Sequence, residues 1–260
     1  MPSTPRRFER WAERVRHIGI LAHSADGSAL CYLEMVRESA RRLGPHRHPE
    51  ITLSILPMEG VLNAYERNDL NVVRGYLART AGRLADAGCD FFVCPDNTAH
   101  LALEQPGEPL PLPGLHIAEI VARHAAANGY RQVGLLGTKW TMEGTVYLGA
   151  FGRHDIEQRT PTPEDRALVD RVIFGELTQG RLEDRSRADF IRIIAGLRAV
   201  GCDAVALSCT EIPLLITPEV SPLPTLDSTR LLAREAVAVA LADGTPVWRG
   251  GEVARVATRT

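Results

Sequence analysis

The chain has 260 residues, of which 45% are hydrophobic and 24% are charged. These proportions are typical of a soluble globular protein, and they exclude a disordered chain, a collagen-like repeat and a small disulfide-rich protein. The 30 basic and 32 acidic residues give a formal net charge of −2, so the composition offers no electrostatic basis for binding nucleic acid.

The five cysteines form neither a CxxC motif nor a Cys/His zinc spacing, and we expect no metal site. An odd number of cysteines in a chain of this size indicates free thiols in a reducing compartment. The arginine-rich segment 1–16 lacks the apolar run of a signal peptide, and the longest apolar run, Ala236–Ala242, is too short to cross a bilayer. We therefore expect a cytoplasmic protein without a membrane segment.

Short apolar strands alternate with helical patterns along the chain. In the first half, the sequence predicts strands at His17–Ala22, Ile51–Leu56 and Phe91–Val93 and helices at Leu70–Ala87 and His116–Ala127. In the second half, it predicts strands at Val133–Leu136 and Ala204–Leu207 and helices at Arg187–Val200 and Asp227–Leu241. This alternation predicts an α/β fold with parallel sheets and right-handed crossovers.

The sequence also contains an internal repeat. The tripeptide Gly88–Asp90 recurs 113 residues later as Gly201–Asp203, and each copy stands between the end of a predicted helix and an apolar strand. The segment Pro111–Leu115 recurs 111 residues later as Pro222–Leu226. Matches in the same order at a nearly constant offset favour a duplicated fold, although any two βα units share some of these signals.

A duplicated fold predicts two pseudo-symmetric, doubly wound parallel-sheet domains with the active site between them. The first domain would comprise 15–113 and 227–245, and the second 114–226. Extensions are expected at 1–14 and 246–260. The final helix would return to pack on the first domain.

Two chemically reactive side chains occupy equivalent positions in the two halves. Asp96 and Cys209 each stand eight residues after the glycine of a Gly-Cys-Asp copy. Ligands of open parallel sheets bind at the carboxyl ends of the strands, where both residues are expected. Facing acid/base groups of this kind suit removal of a proton from one side of a carbon and delivery of a proton to the other.

Neighbouring polar residues suit a small anionic ligand, because hydroxyls, amides and helix starts attract carboxylates. Helix capping is the alternative role for each of them. The candidate substrate-binding residues are Ser24, Asn97, Thr98, Thr138, Thr141 and Thr210.

Three passages, Asn97–His100, Gly134–Glu143 and Cys209–Ile212, resemble the cofactor-independent aspartate/glutamate racemase superfamily, and the likeness extends over most of the chain. The resemblance implies two facing cysteines that act as acid and base without pyridoxal phosphate, a nucleotide or a metal. It also implies a small carboxylate-bearing substrate such as an acidic amino acid, and a possible homodimer.

This chain departs from the family pattern at two places. Cys209 stands at the position of the second cysteine, but Asp96 replaces the first, and the glycine-rich N-terminal segment is altered at 22–27. Reference pKa values of about 3.9 for aspartate and 8.5 for cysteine differ by about 4.6 units, or about 6 kcal/mol. Helix N-terminal amides would lower both values and burial would raise them, which could narrow the gap.

Three interpretations of the position opposite Cys209 remain open, and the first two concern the role of Asp96. It could be the second acid/base group of a racemase, with a raised pKa. It could instead hold a substrate ammonium or water and leave Cys209 to act on one face alone. In the third alternative, Cys94 replaces the missing thiol.

The sequence predicts a cofactor-independent amino-acid racemase that moves a proton at the carbon next to a carboxylate. One alternative is a one-sided lyase or decarboxylase on the same scaffold. A catalytically silent small-molecule binding protein is the other.

Overall fold

The structure is a computed structural model, and it describes residues 15–242 and 246–253. The extension expected at 1–14 lies outside the described residues, as do 243–245 at the end of the predicted first domain and 254–260 in the predicted C-terminal extension. No helix within the described residues combines the length and the hydropathy needed to cross a membrane.

Within these described ranges, eight strands form two four-stranded parallel sheets. The strands are β1 (Ile18–Ala22), β2 (Ile51–Ile55), β3 (Phe91–Val93), β4 (Gly114–Leu115), β5 (Gln132–Gly137), β6 (Glu157–Arg159), β7 (Ala204–Ser208) and β8 (Thr225–Asp227). The first sheet has the order β2-β1-β3-β4 and the second has the order β6-β5-β7-β8. The two halves therefore have the same topology, which confirms the predicted α/β fold with two similar sheets.

The described residues contain eleven α-helices, which connect the strands. They are α1 (Ala25–Leu43), α2 (Glu59–Glu66), α3 (Leu70–Asp86), α4 (His100–Leu103), α5 (Ile117–Ala127), α6 (Lys139–Glu143), α7 (Thr145–Gly152), α8 (Pro163–Gly175), α9 (Asp184–Ala199), α10 (Ile212–Leu215) and α11 (Ser228–Leu241). A single 3-10 turn, Leu177–Gln179, follows α8.

The strands β1, β3, β5 and β7 are buried on both faces, and their successive residues point to opposite sides of the sheet. In the first sheet, Leu21 packs towards α2 and α3, whereas Ile20 packs towards α1 and α11. In the second sheet, Leu136 packs towards α8 and α9, whereas Leu135 packs towards α5 and α7. Strands buried on both faces are characteristic of parallel α/β sheets.

Helix α5 joins the two halves. Ile117 belongs to the core of the first sheet, whereas Val121 belongs to the core of the second. Helix α11 begins after the last strand of the second sheet, and its apolar residues pack against α1 beside the first sheet. The chain thus crosses between the halves twice, and the crossings fix the halves against each other.

The repeated Gly-Cys-Asp tripeptide has the same structural role in both halves. Gly88 and Gly201 have positive φ angles of 82° and 102°, a conformation that favours glycine. Asp90 accepts a hydrogen bond from the backbone N–H of His17 at 2.7 Å, and Asp203 accepts one from Arg131 at 2.7 Å. Each aspartate therefore ties its strand to the start of the neighbouring central strand.

The structure adds elements for which the sequence patterns gave no bounds, and three of them shape the cleft or the sheet edge. Helices α2 and α8 precede α3 and α9, and the edge strand β6 has the polar sequence Glu-Gln-Arg. Two predicted helices begin a residue later than expected, because His116 and Asp227 are the N-caps of α5 and α11. The His116 side chain accepts a hydrogen bond from the backbone N–H of Glu119. Helix α9 begins three residues earlier than predicted, at Asp184.

Two buried histidines connect the first sheet to α5. The Nδ1 atom of His100 donates to the backbone oxygen of Asp96 at 2.8 Å, and its Nε2 atom accepts from the N–H of Ile117. The Nε2 atom of His116 donates to the Glu104 carboxylate at 2.8 Å. Burial lowers the pKa of each histidine to about 3, so both are neutral near pH 7.

We predict that stability decreases as the pH falls from 7 to 5. Unfolded histidine has a pKa of about 6.5, so below that value the unfolded state binds protons that folded His100 and His116 do not, at a cost of up to about 1.4 kcal/mol per pH unit for each. Burial raises the pKa of Glu104, which offsets part of this loss.

The variant His116→Asn isolates one of these groups, because asparagine can still cap α5 but does not titrate. Urea unfolding should show a loss between pH 7 and pH 5 that is smaller than in the wild type by roughly 1–2 kcal/mol. His46→Asn is the control, since His46 is exposed and has a φ angle of 63° that asparagine tolerates. An unchanged pH dependence in His116→Asn would contradict the prediction.

Candidate active site

A cavity of about 420 Å³ lies between the two halves at the carboxyl ends of their strands. This volume is within the range of small-molecule sites, which is about 300–1,000 Å³. Of the candidate residues, the cavity is lined by Ser24, Asp96, Asn97, Thr98, Thr138, Cys209 and Thr210.

Asp96 follows β3 and is partly buried. Its Oδ1 atom accepts a hydrogen bond from the backbone N–H of Ala99 at 3.1 Å, and its backbone oxygen accepts the bond from His100. The backbone and the side chain are therefore both held in place, while the carboxylate still borders the cavity.

Cys209 follows β7 at the equivalent position of the second half. Its thiol donates a hydrogen bond to the Oε2 atom of Glu211 at 2.9 Å. Burial raises the pKa of this thiol well above its ordinary value, and the negative charges of Glu211 and Asp96 raise the pKa further. Cys209 is therefore a protonated thiol near pH 7.

Three threonine hydroxyls form a cluster beside Asp96. The Oγ1 atom of Thr98 lies 3.0 Å from that of Thr138 and 3.1 Å from that of Thr141. Thr138 caps α6 by accepting from the N–H of Thr141. Thr141 is not among the residues that line the cavity. Its hydroxyl instead forms hydrogen bonds with the hydroxyls of Thr98 and Thr138 and helps to position them.

Asn97 joins the loops that carry the two candidate catalytic residues. Its Oδ1 atom accepts from the Tyr147 hydroxyl at 2.7 Å, and its Nδ2 atom donates to Ser228 at 3.1 Å. Ser228 in turn donates to the backbone oxygen of Leu207, two residues before Cys209. The amide group is thus bound to protein on both sides, although Asn97 also borders the cavity.

The first turn of α1 closes against the loop of Cys209 at Gly27. A β-carbon at this position would lie 2.5 Å from the Cγ2 atom of Thr210 and 2.6 Å from the Oγ atom of Ser24. Only glycine lets the two halves approach this closely at the cavity.

The apolar wall of the cavity was not among the candidate residues. Here the term denotes Met58, Leu62, Tyr65, Trp140, Ile173 and Phe174. The rings of Tyr65 and Trp140 lie 6.1 Å apart between centroids, and Trp140 and Phe174 are also 6.1 Å apart. A capping signal, Thr162-Pro163, precedes α8 in the sequence, but nothing in it shows that the helix reaches this cavity.

Cys94, the alternative thiol, is fully buried and is not among the lining residues. Burial raises the pKa of its thiol, and its Sγ atom lies 3.9 Å from the backbone oxygen of Asp96. These contacts favour a packing role. The remaining cysteines, Cys31, Cys89 and Cys202, are also buried.

Comparisons with known proteins agree with the fold. The profile of the Asp/Glu/Hydantoin racemase family matches residues 18–236. A glutamate racemase from Thermus thermophilus is 31% identical over 198 residues, which cover 72% of this chain and 70% of the relative.

Two solved structures have a similar fold. A proposed Asp/Glu racemase from Yersinia pestis has a TM-score of 0.78 and 29% identity, covering 87% of this chain and 100% of that protein. An aspartate racemase homologue from Pyrococcus horikoshii has a TM-score of 0.72 and 26% identity, covering 86% of this chain and 99% of that protein.

We predict that Gly27→Ala destabilises the protein by roughly 1–3 kcal/mol, because the added methyl group overpacks the contact with Thr210. Chemical denaturation measures this change. Gly75→Ala is the matched control, since Gly75 is exposed within α3 with no neighbouring atom near its β-carbon, and alanine there should stabilise by about 0.5–1 kcal/mol. Equal stability of Gly27→Ala and the wild type would contradict the close approach.

We also predict that Glu211→Gln moves the alkylation profile of Cys209 to lower pH. Glutamine removes a negative charge that opposes formation of the thiolate, so the pKa of the thiol should fall by roughly one unit or more. Iodoacetamide labelling at a series of pH values, followed by peptide mass spectrometry, reports on Cys209 separately from the four buried cysteines.

Glu66→Gln is the control for this measurement, because Glu66 lines the same cavity without a hydrogen bond to the thiol. Its profile should coincide with that of the wild type. Identical profiles for Glu211→Gln and the wild type would show that Glu211 does not control the thiol.

Proposed function

Since this chain belongs to the Asp/Glu/Hydantoin racemase family, we propose that it moves a proton at the carbon next to a substrate carboxylate, with Cys209 and Asp96 as the facing acid/base groups. Membership of that family makes the chain an isomerase of the amino-acid racemase type. The proposal concerns which side chains perform the proton transfer.

One observation carries the proposal. Asp96 and Cys209 follow β3 and β7, the equivalent strands of the two halves, and both border the same cavity. Burial and the charge of Glu211 raise the pKa of the Cys209 thiol, and the negative charge of Asp96 adds a smaller contribution in the same direction.

The proton transfer begins from a Cys209 thiol and an Asp96 carboxylate. The carboxylate takes the α-proton from one face of the substrate carbon, and the thiol delivers its proton to the other face. This step leaves a carboxylic acid and a thiolate, which is the form that converts the opposite enantiomer. Proton exchange with solvent returns the free enzyme to its starting form.

The hydroxyls of Thr98, Thr138 and Thr210 would bind the substrate carboxylate and stabilise the charge that develops on it. Ser24 belongs to the same binding group, whereas Asn97 and Thr141 would hold these residues in position. A cytoplasmic location and a homodimer are part of the same proposal, and they rest on the unpaired cysteines and on the family resemblance.

The difference in acidity between the Cys209 thiol and the Asp96 carboxylate supports a second candidate function. Cys209 is a protonated thiol beside Glu211, which makes it a suitable acid for a carbanion on one face. A lyase or decarboxylase would need only this group, with Asp96 holding an ammonium or a water molecule. Such an enzyme releases a fragment from its substrate, whereas a racemase converts either enantiomer into the same mixture.

We predict that the protein exchanges the α-hydrogen of at least one amino acid with deuterium from solvent, and that Cys209→Ala and Asp96→Asn each lower the rate by about 10²–10⁴-fold. Proton NMR in D₂O measures the exchange, and chiral chromatography measures racemisation. Cys94→Ala is the control and should retain most of the activity.

The outcomes separate the candidate functions. Exchange that retains configuration, or release of a fragment, would favour the one-sided enzyme. Binding without exchange, unaffected by Cys209→Ser, would indicate a silent binding protein. Absence of exchange with every amino acid tested would refute the proposed racemase.

A further inference from the structure

We propose that the substrate carries an uncharged, apolar side chain up to the size of an aromatic ring, and that the apolar wall selects it. This inference rests on the proposed function. It concerns the side chain of the amino-acid substrate, which the proton transfer between Cys209 and Asp96 does not specify.

The apolar wall is continuous across the cleft. Helix α2 contributes Leu62 and Tyr65 from the first half, and α8 contributes Phe174 from the second. Trp140, at the start of α6, lies between the two aromatic rings at 6.1 Å from each. A planar or branched apolar group placed between α2 and α8 would contact both halves.

The charges that border the cavity disfavour a second carboxylate on the substrate. Four lining residues carry a carboxyl group: Glu66, Asp96, Asp170 and Glu211. Among the described lining residues there is no lysine and no arginine. A second carboxylate bound here would lose its hydration without gaining a cationic partner, which is costly.

Two basic residues, His23 and Lys139, lie at or beside the cavity, and the contacts of each leave it poorly placed to pair with a second carboxylate. His23 lines the cavity, and its Nε2 atom is 3.0 Å from the Tyr65 hydroxyl, while its Nδ1 atom is buried and has no hydrogen-bond partner among the described residues. Lys139, the single lysine of the chain, is exposed and does not line the cavity, and its Nζ atom lies 4.7 Å from the centre of the Trp140 ring.

Two residues of the apolar wall expose much of their surface to solvent. Leu62 is 48% exposed and Phe174 is 46% exposed, and they belong to helices on opposite sides of the cleft. A substrate side chain that covers them is stabilised in proportion to the apolar surface that it removes from water. This gain favours leucine-like and phenylalanine-like substrates over aspartate and glutamate.

The test is a substrate panel in D₂O. Both enantiomers of leucine, methionine, phenylalanine, aspartate and glutamate are incubated with the full-length protein, and α-hydrogen exchange is followed by NMR. We expect kcat/KM for the best apolar amino acid to exceed that for aspartate and glutamate by at least tenfold.

The variants Leu62→Arg and Phe174→Arg add a cation to the apolar wall at exposed helical positions. Each should reduce the apolar-to-acidic ratio of kcat/KM by tenfold or more. Leu148→Arg is the matched control, because Leu148 is 58% exposed on α7 and does not line the cavity, and its ratio should equal that of the wild type.

The results distinguish failure of this inference from failure of the proposed function. A preference for aspartate or glutamate would overturn the apolar selection and leave the racemase intact. A ratio unchanged in both arginine variants would also overturn the role of the apolar wall. Absence of exchange with all five amino acids would overturn both proposals.

Discussion

A buried chain of neutral hydrogen bonds sets the geometry on which the site depends. Asn97 adjoins Asp96, and its amide binds the Tyr147 hydroxyl and Ser228. Ser228 continues the chain to the backbone oxygen of Leu207, just before the loop of Cys209. Both groups of the Asn97 amide are satisfied, and losing a partner in such a buried network costs about 1–3 kcal/mol for each group left unpaired. The loops carrying the carboxylate and the thiol are therefore coupled through a shared interior, in addition to the packing of α5 and α11.

Replacing one thiol of a facing pair by a carboxylate changes the chemistry of the other. The sequence left open the possibility that the site would narrow the difference in acidity between aspartate and cysteine. In the structure, burial and the charges of Glu211 and Asp96 all raise the pKa of Cys209, so its acidity moves further from that of an ordinary aspartate. The thiol therefore keeps its proton, and the negative charge of Glu211 opposes loss of that proton. In a racemase with this pair, the free-energy cost of proton transfer would differ between the two directions of the reaction. The direction that leaves Cys209 as a thiolate would be the harder one.

The features that could be predicted from the sequence are those fixed by local patterns. The two Gly-Cys-Asp copies mark equivalent strands because a positive-φ glycine and a strand-tying aspartate are needed at each, and counting from them locates Asp96 and Cys209. The apolar wall could not be found this way. Leu62 and Phe174 line the same cavity only because the two sheets pack through α5 and α11, and no spacing within α2 or α8 contains that information. The role of Asn97 was hidden for the same reason, since its partners lie 50 and 131 residues away.

The duplication also places the apolar wall symmetrically. Helix α2 follows the edge strand β2, and α8 follows the equivalent edge strand β6, so each half contributes one side of the cleft above its strand ends. A racemase must hold two mirror-image substrates with the α-carbon between the same acid/base groups, and the side chain cannot take the same path in both. A salt bridge to the side chain would constrain that path, because its strength depends on distance and direction. Apolar contact is non-directional and depends on the area covered, so a wall with similar faces on both sides accommodates either path. The lack of a lysine or arginine among the described lining residues and the presence of apolar side chains on both helices therefore fit one requirement, which is tolerance of both enantiomers at a single site.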